Sequence, residues 1–262
     1  MIFAIARREL QSLFLSPLAW SVLAIVEFLL ALVFFASIDQ FVLIQPRLVA
    51  VDGAGGVTDH VIEPVFNTAA VICLLVAPLL TMRTISEERR NGTLPLLLSA
   101  PASMLEIVLG KYLGLLGFFT LLILLIALMP MALMVGTSLD LGKVFAGLLG
   151  LFLLLSAFTA VGLFMSSLTR YPAVAAVSTF GFLLLLWLLK IAGEFVARAA
   201  GNVNKLLIDN LAGAIDYLWM LDHYQSLVSG VFNTADVFYY VLLAIVFLTL
   251  SVRRLDAERL RG

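Results

Sequence analysis

Charged side chains are scarce in this sequence, and their scarcity excludes a soluble globular protein. Only 13% of the 262 residues are charged and 63% are hydrophobic, whereas soluble domains are roughly half apolar. No polar block is long enough to form a separate soluble domain, so we predict one domain over residues 1–262. The one cysteine, Cys73, excludes an intrachain disulfide. The net charge of -1 carries no information about partners, and no nucleic-acid partner is expected.

Long apolar segments are what the chain has in place of charge. Each of six segments is near the ~20 residues that a helix needs to cross a bilayer. We therefore predict an all-α integral membrane protein with spans at about 18–38, 65–82, 106–134, 143–168, 172–192 and 236–252. The first segment is longer than the ~7–15 residue core of a signal peptide, so we expect it to remain as an anchor.

Three segments outside the spans have a predicted character of their own. The segment 1–16 predicts an amphipathic interfacial helix rather than a frayed extension of span one, because Ser16-Pro17 breaks it. Its apolar face would carry Phe3, Ala6, Leu10, Leu13 and Phe14. We expect the loop 39–64 to be flexible and outside, and the segment 193–235 to form short helices at the outer interface.

The distribution of lysine and arginine predicts the orientation of the chain. Positive residues collect on the cytoplasmic side of membrane proteins. The spans place eleven of the 16 on one side and five on the other, so both termini are expected in the cytoplasm. The cytoplasmic group is Arg7, Arg8, Arg83, Arg89, Arg90, Lys111, Arg170, Arg253, Arg254, Arg259 and Arg261, and the outer group is Arg47, Lys143, Lys190, Arg198 and Lys205.

The densest run of charge lies between spans two and three, within the segment 83–104. Charge at this density cannot stay in hydrocarbon, so the run must face water at the membrane surface. We predict a short helix with Ser86 as its N-cap and Gly92 as its stop, and then a second helix capped by Thr93. Ser103 and Glu106 have the spacing of a capping box and open the next span. The residues alone leave two interpretations open, a docking elbow and a solvated loop that only sets topology.

The same run carries a resemblance to a known family. It resembles the signature of type-2 ABC transporter permeases in the residues Ile85-Ser86-Glu87-Glu88-Arg89-Arg90-Asn91-Gly92-Thr93, Leu96-Leu97-Leu98-Ser99-Ala100-Pro101 and Leu109-Gly110-Lys111. Further residues are similar to the gliding-motility-associated permeases of that family: Arg8-Glu9-Leu10, Ser16-Pro17-Leu18-Ala19, Leu221-Asp222-His223-Tyr224-Gln225-Ser226-Leu227 and Asp236-Val237-Phe238-Tyr239-Tyr240.

This resemblance implies a coupling helix that docks on a separate ATPase. Its residues would be Ser86, Glu87, Glu88, Arg89, Arg90, Gly92 and Thr93, and we expect a second cytoplasmic contact at Thr169, Arg170 and Tyr171. The expected partners are two copies of a cytoplasmic ABC ATPase, a second identical or homologous permease, and in some arrangements a periplasmic or membrane-anchored auxiliary subunit. The chain itself would bind no cofactor, because ATP and magnesium belong to the ATPase. A bacterial inner membrane is the expected location.

Within the spans, three ionisable residues are candidates for a translocation path or a gate. Glu27 lies near the middle of span one, where an ionisable group costs at least ~2.5 kcal/mol unless it faces protein or water. Lys190 and Glu194 are spaced i,i+4 at the outer end of span five and can pair. The alternatives are a structural hydrogen bond for Glu27 and a lysine whose ammonium reaches the interface.

The sequence contains no convincing catalytic or metal site. Residues 136–144 resemble a phosphate-binding loop only faintly, because they have one residue too many and end in Val144. Glu87-Glu88 is reminiscent of an intramembrane metalloprotease, but Gly92 occupies the position of its arginine. Catalysis by this chain is therefore not expected, and the family resemblance implies an ABC exporter subunit that is not itself an enzyme. The alternatives are an ATP-independent channel or secondary carrier, and a complex that transmits force to periplasmic partners.

Overall fold

The computed structural model describes residues 1–48, 55–93, 102–134, 136–199 and 219–259, with backbone alone for Leu48 and residues 190–199. Regular structure in these ranges is entirely helical. The elements are α1 (Ile2–Leu15), α2 (Pro17–Leu48), a π-helical turn (Thr58–Ile62), α3 (Glu63–Thr81), α4 (Ser86–Arg90), α5 (Met104–Leu133), α6 (Leu141–Leu168), α7 (Pro172–Ala199), α8 (Met220–Val228) and α9 (Thr234–Arg259).

Six helices in the described ranges are long and apolar enough to cross a membrane, as predicted. They are Pro17–Arg47, Thr58–Arg90, Met104–Leu133, Leu141–Leu168, Pro172–Leu189 and Thr234–Arg259. The second of these is a composite, since the π-helical turn and α3 continue through a tight turn at residues 82–85 into α4. The predicted all-α membrane fold is therefore confirmed, and the charged elbow extends directly from the end of a span.

The predicted flexible loop at 39–64 is wrong over much of its length. Helix α2 continues to Leu48, and helical structure resumes at Thr58. The added turns of α2 have an apolar side that packs on the π-helical turn, where the rings of Phe41 and His60 lie 5.9 Å apart. The predicted end near residue 38 rested on the ~20 residues that a helix needs to cross a bilayer. That requirement sets the minimum length of a spanning helix and not its maximum, so α2 is free to continue. The Asp52–Gly56 run falls mostly outside the described residues.

Helix α6 is the central helix of the described bundle. Every residue from Leu153 to Leu163 is buried, and α3, α5, α7, α8 and α9 all pack against it. Its two polar residues in this stretch satisfy their hydroxyl groups within the helix, since Ser156 donates to Leu153 O and Thr159 donates to Leu155 O, each at 2.7 Å. Such local hydrogen bonds let polar side chains lie in an apolar core.

Helix α1 is separated from α2 as predicted, but its packed face is rotated from the expected one. Ser16 has extended backbone angles between the two helices. Leu10, Leu13 and Phe14 pack against the core as expected, whereas Phe3 is 84% exposed. The packed face of α1 is determined by its contact with α5, toward which Ile5 and Glu9 are directed.

Two glycines of α5 allow α1 to approach closely. A Cβ at Gly110 would lie 2.6 Å from the Cβ of Ile5, and a Cβ at Gly114 would lie 2.7 Å from the Cβ of Glu9 and 2.9 Å from the carbonyl oxygen of Ala6. The atoms in the way belong to backbone or to the first side-chain carbon, so they cannot swing aside. The glycine spacing is therefore a helix-packing motif that brings α1 onto α5.

The predicted outer segment 193–235 is only partly described. Its first residues continue α7 to Ala199, and residues 200–218 lie outside the described part. Helix α8 is one of the expected short helices, but it is packed into the bundle, where Tyr224 is fully buried and its hydroxyl donates to Phe66 O at 2.8 Å. The last span runs to Arg259, seven residues beyond the predicted end.

Replacing Gly114 with alanine tests the contact between α1 and α5. We expect Gly114→Ala to destabilise the fold by about 1–3 kcal/mol, because the added methyl group overpacks a rigid contact. Gly181 in α7 is the matched control, since a Cβ there meets nothing within 4 Å and alanine favours the helix. The measurement is the thermal unfolding midpoint of each purified variant in detergent, and equal midpoints for the two would contradict the packing.

Candidate functional site

The elbow helix α4 is fixed at its start by a side chain from another span. The hydroxyl of Ser166 on α6 accepts hydrogen bonds from the backbone of Ile85 at 3.2 Å and of Ser86 at 3.0 Å, and donates to Met82 O at 3.2 Å. The prediction of Ser86 as N-cap is wrong. Ile85 takes that position, while Ser86 is fully buried and its own hydroxyl donates to Met82 O.

The end of α4 follows the predicted glycine stop. Gly92 has φ +70°, a conformation that glycine adopts without steric cost. Its N–H donates to Arg89 O at 3.4 Å, and the N–H of Thr93 donates to Glu88 O at 3.0 Å, which is the Schellman pattern of a helix C-terminus. The second helix expected after Thr93 falls in residues 94–101, outside the described part. The predicted capping box of Ser103 and Glu106 is confirmed.

A buried lysine ties the elbow to α1 and α5. The Lys111 ammonium on α5, 2% exposed, donates to the Glu88 carboxylate at 2.7 Å, to Thr84 O at 2.8 Å and to the Glu9 carboxylate on α1 at 3.3 Å. Three acceptors match its three N–H groups. Burial raises the pKa of the Glu9 carboxyl above its ordinary value, although the Lys111 ammonium acts in the opposite direction.

An arginine ties the elbow to the last helix. The Arg89 guanidinium donates to both carboxylate oxygens of Glu258 on α9, at 2.7 and 2.8 Å, and to Ser167 O at 2.7 Å. Arg254 lies 3.6 Å from the same carboxylate. The elbow is therefore held by charge from both sides, with Lys111 on one and Glu258 on the other. We call this set of Glu9, Glu88, Arg89, Lys111 and Glu258 the elbow cluster.

The predicted docking residues divide into two groups in the structure. Ser86, Glu88 and Arg89 are occupied by contacts within the chain. Arg90, Gly92 and Thr93 are exposed and Glu87 is half-buried; we call these four residues the outer face of the elbow. Since Arg89 bonds the carbonyl of Ser167, the turn Thr169–Tyr171 lies close by, with Arg170 exposed and Tyr171 67% exposed. The structure thus brings the two predicted contact regions to one end of the bundle.

A comparison with known families decides the class of the protein. The sequence model described as ABC-2 family transporter protein matches residues 3–260. The chain belongs to this family. It is a multi-pass membrane protein and a transporter permease subunit, and the family in general works with a partner ATPase subunit. No curated protein matches the chain. The likeness to gliding-motility permeases therefore stays a prediction.

The charges of this ABC-2 permease separate into the two ends of the bundle that the sequence predicts. Arg89, Lys111 and Arg254 lie in or beside the elbow cluster. Lys143 lies at the opposite end, where its ammonium contacts the Asp59 carboxylate at 2.7 Å. Which end faces the cytoplasm stays a prediction.

The candidate residues within the spans do not join the elbow cluster. Glu27 lies ten residues into α2, about 15 Å from its start. Its Oε1 atom is buried and has no hydrogen-bond partner among the described residues. The side chains of Lys190 and Glu194 are outside the described part, so their pairing stays a prediction. No group of three or more potential metal ligands occurs in the ranges that are described.

Sequence reasoning missed several members of the elbow cluster. Lys111 had a visible signal, because it is a single lysine inside an apolar segment, and Glu9 is an acid on the apolar side of α1. No sequence signal pointed to Glu258, since it is one of several charged residues at the end of the last helix. No sequence signal pointed to Ser166 either, because a serine near a helix end commonly hydrogen-bonds the backbone of its own helix.

Removing the Lys111 charge tests the elbow cluster. We expect Lys111→Met to destabilise the fold by about 3 kcal/mol, because it leaves the partly buried carboxylates of Glu9 and Glu88 without their counter-charge. Adding Glu9→Gln should recover part of the loss, since one of those carboxylates is then neutral. The measurement is the thermal unfolding midpoint of purified protein, with Arg90→Met as the exposed control that should match wild type. A Lys111→Met midpoint equal to that control would show that the ion pairs carry no stability.

Proposed function

We propose that this chain is the membrane subunit of an ATP-driven exporter, working as a dimer with two copies of a separate cytoplasmic ATPase. The observation that supports the proposal most directly is the two-sided construction of the elbow. Its outer face presents Glu87, Arg90 and Thr93 without an intrachain side-chain ion pair among the described residues. Its inner side is bonded directly to α5, α6 and α9, and through Lys111 of α5 to Glu9 on α1.

This construction suits the transmission of a push from a bound ATPase. A load on α4 would reach α9 through the Arg89–Glu258 pair and α5 through the Glu88–Lys111 pair. The Ser166 hydroxyl would carry it to the central helix α6. Because packed helices shift between discrete arrangements rather than deforming continuously, the load would change how the spans pack. A path for cargo would open at the dimer seam.

Hydrolysis of ATP is assigned to the partner in this proposal. The nearest approach to a phosphate loop, residues 136–144, lies at the end of the bundle away from the elbow, because the Asp140 N–H donates to Thr58 Oγ1 at 3.1 Å at the start of the second span. ATP and magnesium would therefore be held by the ATPase, and the permease would contribute the docking face and the membrane path. The cargo is unassigned.

The proposed orientation is tested by labelling introduced cysteines. The native Cys73 is buried, so it gives little background. Asn91 on the elbow and Asp222 on α8 are both exposed and lie at opposite ends of the bundle. In intact cells, we expect a membrane-impermeant maleimide to label Asp222→Cys and to leave Asn91→Cys unlabelled until the cells are opened. The reverse pattern would invert the topology and remove the elbow from the cytoplasm.

Docking is tested by exchanging two charges on the outer face. We expect the double variant Glu87→Lys, Arg90→Glu to weaken association with the ATPase by at least about tenfold, because it places like charges opposite each other at the interface. The exchange keeps the net charge, so insertion should be unaffected. The measurement is copurification of the ATPase encoded with this chain, at matched membrane levels.

The control for this experiment is Asp222→Lys, an exposed charge reversal at the other end of the bundle. It should retain the ATPase at the wild-type level. If the variant with exchanged charges retains as much ATPase as the control does, the elbow serves only to set the membrane topology.

A further inference from the structure

A cavity of about 320 Å³ lies beside the elbow, within the range of ~300–1,000 Å³ typical of small-ligand sites. It is enclosed by α1, the first turn of α2, the end of α3, α4 and the buried lysine of α5. Its polar lining includes Arg8, Glu9, Arg83, Glu87, Glu88 and Lys111. The cavity shares Glu87 and Thr93 with the outer face of the elbow and is otherwise separate from it.

The polar groups of the cavity are satisfied unequally. Lys111 has its full set of acceptors, as described above. Arg8 and Arg83 line the same cavity, and neither forms a hydrogen bond or an ion pair with another residue in the described ranges. The Oε2 atom of Glu88 is buried and has no hydrogen-bond partner there. The cavity therefore presents two exposed guanidinium groups that no side chain of the described residues neutralises, together with a buried carboxylate oxygen that lacks a donor.

The rest of the cavity lining is apolar and includes Leu13, Leu18 and Leu79. On the same helices, two to four residues from these leucines, Leu15, Trp20 and Leu75 are exposed. An exposed tryptophan at the end of a span is typical of the membrane interface. A ligand in this cavity would therefore have a polar part among charges and an apolar part in the bilayer.

We propose that the cavity binds the head group of a phospholipid that carries a primary ammonium, of the phosphatidylethanolamine type. The phosphate would accept hydrogen bonds from Arg8 and Arg83, since guanidinium groups bind phosphate oxygens in bidentate fashion. The ammonium would donate to the free Oε2 of Glu88. The acyl chains would lie over Leu79 and the exposed apolar residues beside it.

The charges around the cavity discriminate among lipid head groups. A quaternary choline has no N–H and cannot satisfy the Glu88 oxygen. An anionic lipid such as phosphatidylglycerol brings no positive charge to a wall that holds Glu9, Glu87 and Glu88. A soluble phosphoethanolamine has the polar groups but no apolar part for the leucine wall. The geometry thus selects a lipid with both charges.

The test is a lipid titration of the purified, detergent-solubilised chain, followed by native mass spectrometry. The probes are phosphatidylethanolamine, phosphatidylcholine and phosphatidylglycerol with identical acyl chains. We expect phosphatidylethanolamine to bind about tenfold more tightly than the other two, the size of one charge-assisted hydrogen bond. Soluble phosphoethanolamine should not compete at the same concentrations.

Variants place the binding at this cavity. Arg8→Gln combined with Arg83→Gln should weaken phosphatidylethanolamine binding by at least about tenfold, because the phosphate loses both guanidinium donors. Arg7→Gln, an exposed arginine on the same helix that does not line the cavity, should bind the lipid as the wild-type chain does. Neither arginine forms a hydrogen bond or an ion pair with another described residue, so the thermal unfolding midpoint should stay at the wild-type value. Equal binding of the three lipids by the wild-type chain would overturn the proposal. Phosphatidylethanolamine binding that is unchanged in the double variant, or competition by soluble phosphoethanolamine, would also overturn it.

Discussion

The position of the elbow depends on the need to neutralise one buried cation. Moving an ammonium group out of water costs several kcal/mol, and only well-placed counter-charges and hydrogen bonds offset that cost. For Lys111 these partners are Glu88 and Thr84 O from the elbow region and Glu9 from α1. Since the partners come from different parts of the chain, satisfying the lysine requires α1, α4 and α5 to meet at one place.

The glycines of α5 and the lysine work together in this arrangement. Gly114 lies three residues after Lys111, on the same face of α5. The backbone of α1 passes close to it, and a Cβ at Gly114 would lie 2.7 Å from the Cβ of Glu9. A larger residue at Gly114 would hold α1 away and lengthen the Glu9–Lys111 contact. The close packing of two helices is thus also the condition for an ion pair between them, and apolar contact and charge neutralisation depend on each other.

Local features of this fold were predictable from the sequence, and features set by distant contacts were not. The six spans, the glycine stop at Gly92 and the capping box at Ser103 follow from residues within a few positions of each other. The length of α2, the inward face of α1 and the burial of Ser86 depend on which element each of them meets. The Arg89–Glu258 pair joins residues 169 positions apart, and no spacing rule connects an arginine in a short helix with one glutamate among the charges of a distant helix.

The elbow helix has five residues, and a helix this short is not stable by itself in water. Its start is capped by Ser166, which is synthesised 80 residues after Ser86, and Glu258 follows Arg89 by 169 residues. During translation the elbow therefore emerges long before the groups that hold it exist. Its contact with Ser166 can form only after the fourth span has been synthesised, and its contact with Glu258 only when the last span is nearly complete. A chain interrupted before that point lacks these two partners, so we expect its elbow to be less ordered than the elbow of the complete permease.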